Sequence, residues 1–328
     1  VLTDTVELAL ECDFDDLALA ALLREVARTG YRFTSVTPLT HQRVLARPAD
    51  RAMTTLRDLF GWNRLLEPSD IAPDLLALMQ RAGIVQRCGA LVRSALRIAA
   101  IDDDLFLHSA FPTIQSDAVF FGPDTYRFAR FVRTAQNGTA APNHPPRILD
   151  VGCGSGAGGI VAARHCGHPA PQLVMSDINP LALRLCAINA AQAGVAMMPA
   201  QGDALAAVGG DFDLIISNPP YLNDDAQRAY RHGGGDLGRA LSLRIAAEAI
   251  TRLAPGGRLL LYTGVAIVDG IDPLQAELLP LLAAAGCDWS YEEIDPDVFG
   301  EELERPVYAH IDRIAAVGLC ATRRRQAH

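Results

Sequence analysis

Past residue 146 the chain alternates short apolar runs with longer stretches of helical period. Segments 147–151 (RILDV), 172–176 (QLVMS), 196–200, 213–217 (DLIIS) and 258–263 (RLLLYT) read as strands of a buried parallel sheet. Two further runs, 289–294 and 314–322, read as closing strands. Helical periods lie between them, around 160–164 and over 241–253 and 272–285. The best-marked helix is NPLALRLCAINAAQAG, which Asn179 caps, Pro180 enters and Gly194 stops. APGGR (254–258) is a tight turn into a strand. Strand and helix in alternation predict an α/β fold with a mainly parallel sheet, for which seven strand-like runs are present.

The chain ahead of this differs in kind. TTLRDLFGWN and IAPDLLALMQRAGIV read as two helices, and ALVRSALRIAAIDDDLFLHS alternates like a hairpin with residues 102–104 at its tip. A smaller, mostly helical domain is therefore expected over residues 1–115, ahead of a larger one over 116–328. Two readings of it stay open: a winged-helix module, or a helical cap over one edge of the larger domain. The proline-rich stretch NGTAAPNHPPR (137–147) reads as a surface connector.

Composition narrows the class. Of 328 residues, 50% are hydrophobic and 20% charged, which suits a globular protein with a substantial core. Net charge is −9 and every Lys/Arg position is arginine, so tight non-specific nucleic-acid binding is not expected. Seven cysteines without a C-x-x-C pair suggest free thiols in a reducing cytoplasm. The first residues are too acidic for a signal peptide, and no run is long enough to span a membrane. His232, and His165 and His168 beside Cys166, lack a third ligand at regular spacing, so no metal is expected.

Chemistry concentrates at strand ends. ILDVGCGSGAGG follows a strand and opens a helix, the setting of a nucleotide-cofactor loop. Two registers fit: Gly154, Gly156 and Gly159 match a dinucleotide fingerprint, whereas Asp150, Gly152, Gly154 and Gly156 match a methyltransferase one. Asp177 closes the second strand, where a carboxylate can accept both hydroxyls of a ribose. Asp203, in QGDAL after the third, is placed to accept from an adenine amino group; its alternative role is to cap a helix. In ISNPPYLN, prolines end a core strand at a rigid corner that carries an amide and a phenol. The side-chain oxygen of Asn218 and the carbonyl of Pro219 can accept the two N–H groups of a planar amine. Pro220 stiffens the corner, and Tyr221 can stack on the planar group.

DVGCGSG, SDINP, GDAL and SNPPYL, in that order, resemble class I S-adenosylmethionine-dependent methyltransferases of the Asn-Pro-Pro-Tyr subgroup. The resemblance spans roughly residues 120–322 and implies the Rossmann-like, seven-stranded α/β fold of that class. It implies S-adenosyl-L-methionine as cofactor, leaving as S-adenosyl-L-homocysteine, and a pocket of Asp150, Gly152, Cys153, Gly154, Gly156, Asp177, Ile178, Asp203, Ala204 and Asn218. FFGPDTYRFARFV resembles the segment that closes over the cofactor, which would put Asp124 and Thr125 at its methionine end; both can also serve the following helix as caps. HGGGDLGRALSLRIAAEA resembles the stretch after the corner in HemK-type glutamine methyltransferases, whereas the N-terminal domain does not clearly match those enzymes.

These residues imply methyl transfer to a planar nitrogen of a macromolecule. The acidic charge and the GGGDLG stretch favour a protein glutamine, as in translation release factors; the alternative, which a winged-helix module would favour, is an exocyclic amine of adenine or guanine in RNA or DNA. A dehydrogenase would leave the corner unexplained. A non-catalytic scaffold would not need Asn218 and Tyr221 intact.

Overall fold

The computed structural model of the chain describes residues 14–47, 55–113, 115–139, 142–224, 228 and 230–325. It opens with helices α1 (Asp16–Arg28), α2 (Pro38–Leu45) and α3 (Pro73–Arg81), then strands β1 (Val85–Cys88), β2 (Leu91–Ser94), β3 (Leu96–Ile101) and β4 (Asp104–Ser109). The β3–β4 hairpin turns at Asp102, in the left-handed region at φ 51°, where alternation placed its tip. The strand before it behaves differently from expectation. Instead of extending that hairpin, β2 pairs back onto β1, and Ser94 braces the corner by a hydrogen bond from the Leu96 amide. The helix expected in TTLRDLFGWN, whose first residue lies outside the described ones, is one short turn, Arg57–Gly61. A Cβ on Gly61 would stand 2.2 Å from the Phe33 ring, so close packing holds the chain there.

Helix α4 (Pro123–Gln136) leads into the sheet. Strands β5 (Arg147–Val151), β6 (Gln172–Asp177), β7 (Met197–Gln201), β8 (Phe212–Ser217), β9 (Leu253–Ile267), β10 (Cys287–Asp295) and β11 (Arg313–Arg323) follow. They form one sheet in the order β10-β11-β9-β8-β5-β6-β7. β11 runs antiparallel to both neighbours, and the other pairs that touch are parallel. The expected turn at APGGR is a wide bulge within β9. Phe212 pairs with Leu253 and Leu214 with Arg258, so residues 254–257 loop out between them.

Helices α5 (Ala157–His165) and α6 (Pro180–Gln192) join α4 on one face of the sheet. Helices α7 (Ala240–Thr251) and α8 (Pro273–Ala284) cover the other. Strand order reverses at β5, which lies between β6 and β8, and in open α/β sheets the crevice beyond such a point receives ligands.

The N-terminal region packs on α6. Ala182, Leu185 and Ile188 share one apolar cluster with Leu19, Leu22 and Leu107. Buried Asn189 completes the seam: Oδ1 accepts from the Leu107 amide (2.8 Å), and Nδ2 donates to the carbonyls of Leu107 (3.1 Å) and Ser155 (2.9 Å). One side chain thus ties the β3–β4 hairpin to the glycine loop.

Candidate active site

The turn from β5 into α5 needs glycine for two reasons. Gly152, Gly154 and Gly156 have φ of 69°, 53° and 82°, a region that strains side-chain-bearing residues. A Cβ on Gly156 would lie 2.9 Å from Cys186 Sγ, whereas one on Gly152 or Gly154 meets no protein atom within 4 Å. What those two Cβ atoms would fill is a cleft of about 210 Å³ at the sheet's switch point. Every predicted site residue lines this cleft except Asp150 and Gly156.

Those two are corrections to the expected pocket. Gly156 faces the protein behind the loop, and Asp150 is 1% exposed, with Oδ2 accepting the Gly159 amide at 2.7 Å. Asp150 therefore shapes the loop from behind. Burial pushes its carboxyl up to about 7; the Gly159 hydrogen bond opposes this and the charge of Asp177 adds to it. A folded-state pKa above the unfolded one favours folding at low pH and loses that advantage as pH rises through about 7. Asp150→Asn should accordingly melt close to wild type at pH 4 and increasingly above it toward pH 8. Calorimetric melting across that range checks this, and a constant difference would refute it.

Asp177 stands on the cleft wall at the end of β6. Its Oδ2 accepts the Gly154 amide and its Oδ1 the Asn179 amide, each at 2.9 Å. Burial raises its pKa, against the backbone N–H groups that hold the charged form. Asn179 caps α6 from Leu181, as expected, and Ile178 between them is 58% exposed. Asp203 is an exposed wall residue whose oxygens are both held by the Arg244 fork, at 2.6 and 2.7 Å. That pairing replaces the helix-cap alternative and lowers its pKa. Ala204, next to it, takes a positive φ of 47°.

β8 ends where the prolines begin. Ser217 Oγ donates to the Val151 carbonyl (2.8 Å), pinning the strand end to β5. Asn218, Pro219, Pro220 and Tyr221 then run along the wall. Among the described residues the Asn218 carboxamide makes no hydrogen bond with the protein. The glycine-rich stretch that follows turns out to be packing against this corner. A Cβ on Gly238 would stand 2.1 Å from the Tyr221 carbonyl, and one on Gly233 would stand 2.7 Å from that of Pro220. The Gly233 amide also donates to the Leu222 carbonyl (2.9 Å).

Asp124 and Thr125 open α4 on the same wall. Thr125 Oγ1 accepts the Gly122 amide (3.2 Å), so it serves the helix start as well. Asp124 is buried and bonded to the hydroxyls of Tyr221 and Tyr262. Sequence reading missed Phe120, Tyr230 and Phe299, which line the cleft mouth. Phe120 stacks on Tyr230, and Phe299 meets the Tyr221 ring edge-on at 5.8 Å. No local signal distinguishes these aromatics from core residues; Phe299 in its left-handed turn (φ 55°) is recognisable only once folded.

Arginines near the mouth are all engaged with carboxylates. Arg228 pairs with Asp224, Arg231 with Asp224 and Glu302, and Arg305 with Glu302. The three histidines considered for metal carry local hydrogen bonds: His232 with the Asp224 amide, His165 with Val161, His168 with Ala170. No helix among the described residues is long and apolar enough to cross a membrane.

Residues 138–265 match the family model of the methyltransferase small domain. Taken with the sheet order and glycine loop, that identifies the matched segment as a class I S-adenosylmethionine-dependent methyltransferase domain related to the HemK-type enzymes. Its cofactor is S-adenosylmethionine. A release factor glutamine methyltransferase of Deinococcus radiodurans is 37% identical over 169 residues, 48% of this chain and 56% of that protein. One from Koribacter versatilis is 31% identical over 166 residues, 47% of this chain and 55% of that protein. A ribosomal RNA small subunit methyltransferase C of Shewanella loihica is 34% identical over 116 residues, 35% of this chain and 30% of that protein. The chain thus spans about half the length of the release-factor relatives it matches.

Proposed function

We propose that the chain transfers a methyl group from S-adenosylmethionine to a glutamine side-chain amide in a protein of the release-factor type. The observation that carries this reading is the corner at the end of β8. Asn218 lines the cleft there, its carboxamide has no hydrogen-bond partner among the described residues, and the prolines stiffen the corner. When bound, S-adenosylmethionine supplies an electrophilic sulfonium methyl. The open space over Gly152 and Gly154 fits such a group; Asp177 would hold its ribose, and Asp203 and Ala204 would serve its adenine end. Asn218 Oδ1 and the Pro219 carbonyl accept the two target N–H groups, leaving the nitrogen lone pair free to face the methyl. A planar amino group is a poor nucleophile because its lone pair is delocalised. Acceptors at the N–H groups favour positive charge building on the nitrogen as the N–C bond forms and the sulfonium S–C bond breaks; one N–H proton then leaves to solvent, giving a neutral N-methyl amide. Fixed orientation can supply about 7–11 kcal/mol of the barrier.

The paired arginines at the mouth favour protein over nucleic acid, since phosphate contacts call for available cations. The names of the release-factor relatives point the same way. A second reading, methylation of an exocyclic base amine, is supported by the similarity to ribosomal RNA methyltransferases. In either reading residues 116–328 form the catalytic domain and residues 1–115 an accessory one. The compartment that goes with both is the cytoplasm, where translation takes place.

Purified release factor and ribosomal RNA, each offered with tritiated-methyl S-adenosylmethionine, separate the readings. Label should enter the protein, survive nuclease and map to a glutamine-containing peptide. Label in the RNA alone would replace the first reading with the second.

A further inference from the structure

We propose that Asp124 and Tyr262 are positioning residues for Tyr221, forming a clamp that fixes the aromatic wall of the target-nitrogen corner. The inference rests on the methyl-transfer reading of that corner and gives Asp124 a role different from the cofactor contact that family resemblance implied. The Tyr221 hydroxyl donates to Asp124 Oδ2. Tyr262 Oη donates to Asp124 Oδ1 at 3.1 Å, and Arg127 donates to the same oxygen at 3.0 Å while also pairing with Asp295 at 2.8 Å. A carboxylate offers about four lone-pair sites, and here three are taken by protein donors. Asp124 is thus committed to the protein, and Arg127 balances its charge.

Tyr221 is held at three places. Gly233 and Gly238 close on the backbone around it, Gly264 of β9 admits its ring, and Asp124 takes its hydroxyl. A Cβ on Gly264 would fall 2.1 Å from that ring. Tyr262 is fully buried and does not line the cleft, and its hydroxyl reaches the corner through the carboxylate of Asp124. Burial raises the pKa of Asp124, opposed by hydrogen bonds from both tyrosines and by Arg127. Taking a carboxylate out of water is costly, and apolar residues of similar volume often stabilise as well or better. Stability therefore does not call for this group. Orientation does: it ties α4, β9 and the corner at one point, where a misplacement of about 1 Å can slow a reaction roughly a hundred-fold.

The test uses Asp124→Asn, Tyr262→Phe, Tyr221→Phe and the Asp124→Asn/Tyr221→Phe pair in the full chain. Calorimetry should find S-adenosylhomocysteine affinity within about three-fold of wild type for Asp124→Asn and Tyr262→Phe. Single-turnover methylation of release factor should fall roughly ten- to a hundred-fold for each single variant, with half-saturating substrate unchanged. The double variant should be no slower than its slower parent, since the two residues act as a unit. Cofactor affinity lost by Asp124→Asn would make Asp124 a cofactor ligand, and wild-type rates in Tyr262→Phe or additive losses in the pair would overturn the clamp. If the wild type methylates neither protein nor RNA, the functional reading fails, and the clamp is read separately by fluorine NMR of 3-fluorotyrosine protein. The Tyr221 resonance, assigned by its loss in Tyr221→Phe, should move in Asp124→Asn and in Tyr262→Phe. An unmoved resonance would overturn the clamp.

Discussion

Asn218→Ala is expected to slow single-turnover methyl transfer by about a hundred-fold or more, the scale of losing one preorganised polar group at a reacting centre. The carboxamide makes no bond to the described protein, so its removal should leave the fold almost untouched. Cofactor affinity should fall far less than the rate, because Asp177 and the glycine loop remain. Asn218→Asp keeps an acceptor oxygen and adds a charge, and some activity should survive. Circular dichroism and rapid-quench methyl transfer on the three proteins check this together. A folded Asn218→Ala that reacts like wild type would reduce the corner to a strand terminator.

Loss of the Asp177 carboxylate should act on binding instead. Asp177→Ala is expected to weaken S-adenosylhomocysteine by roughly ten- to a hundred-fold, the range for hydrogen bonds to a charged group. The structure adds a complication, because the amides of Gly154 and Asn179 lose their acceptor in the same variant. Asp177→Asn separates the two effects. It retains one carbonyl oxygen for the loop but not the charge or the second acceptor for a ribose, so its affinity should lie between those of the other two proteins. Calorimetry on all three gives the order. Equal affinities would remove Asp177 from the cofactor site, and tighter binding of NAD than of S-adenosylhomocysteine would return the fold to a dehydrogenase reading.

The tyrosine of the corner was only partly legible in advance. A phenol beside two prolines can be read as a stacking face, and on that reading Tyr221→Phe is mild. The folded chain places its hydroxyl on a buried carboxylate 97 residues earlier, so the same substitution is expected to matter. Asp203 changed in a similar way, through an arginine 41 residues later. Neither partner is near in sequence.

Several features of this protein were determined locally. Alternation of apolar strands and helical periods is a property of short windows, and it placed the seven strands and the α6 helix with its Asn179 cap. The positive-φ glycines of the loop and the prolines after β8 act on their own backbone, so their meaning can be read where they stand. The tertiary structure alone decided which side chains those elements bring face to face. It put Asp150 behind the loop, Phe299 at the mouth and β2 against β1. It also brought α4, β9 and the β8 corner together around Asp124. Those outcomes depend on strand order and on close packing between segments far apart in the chain, and no pattern within a single segment records either.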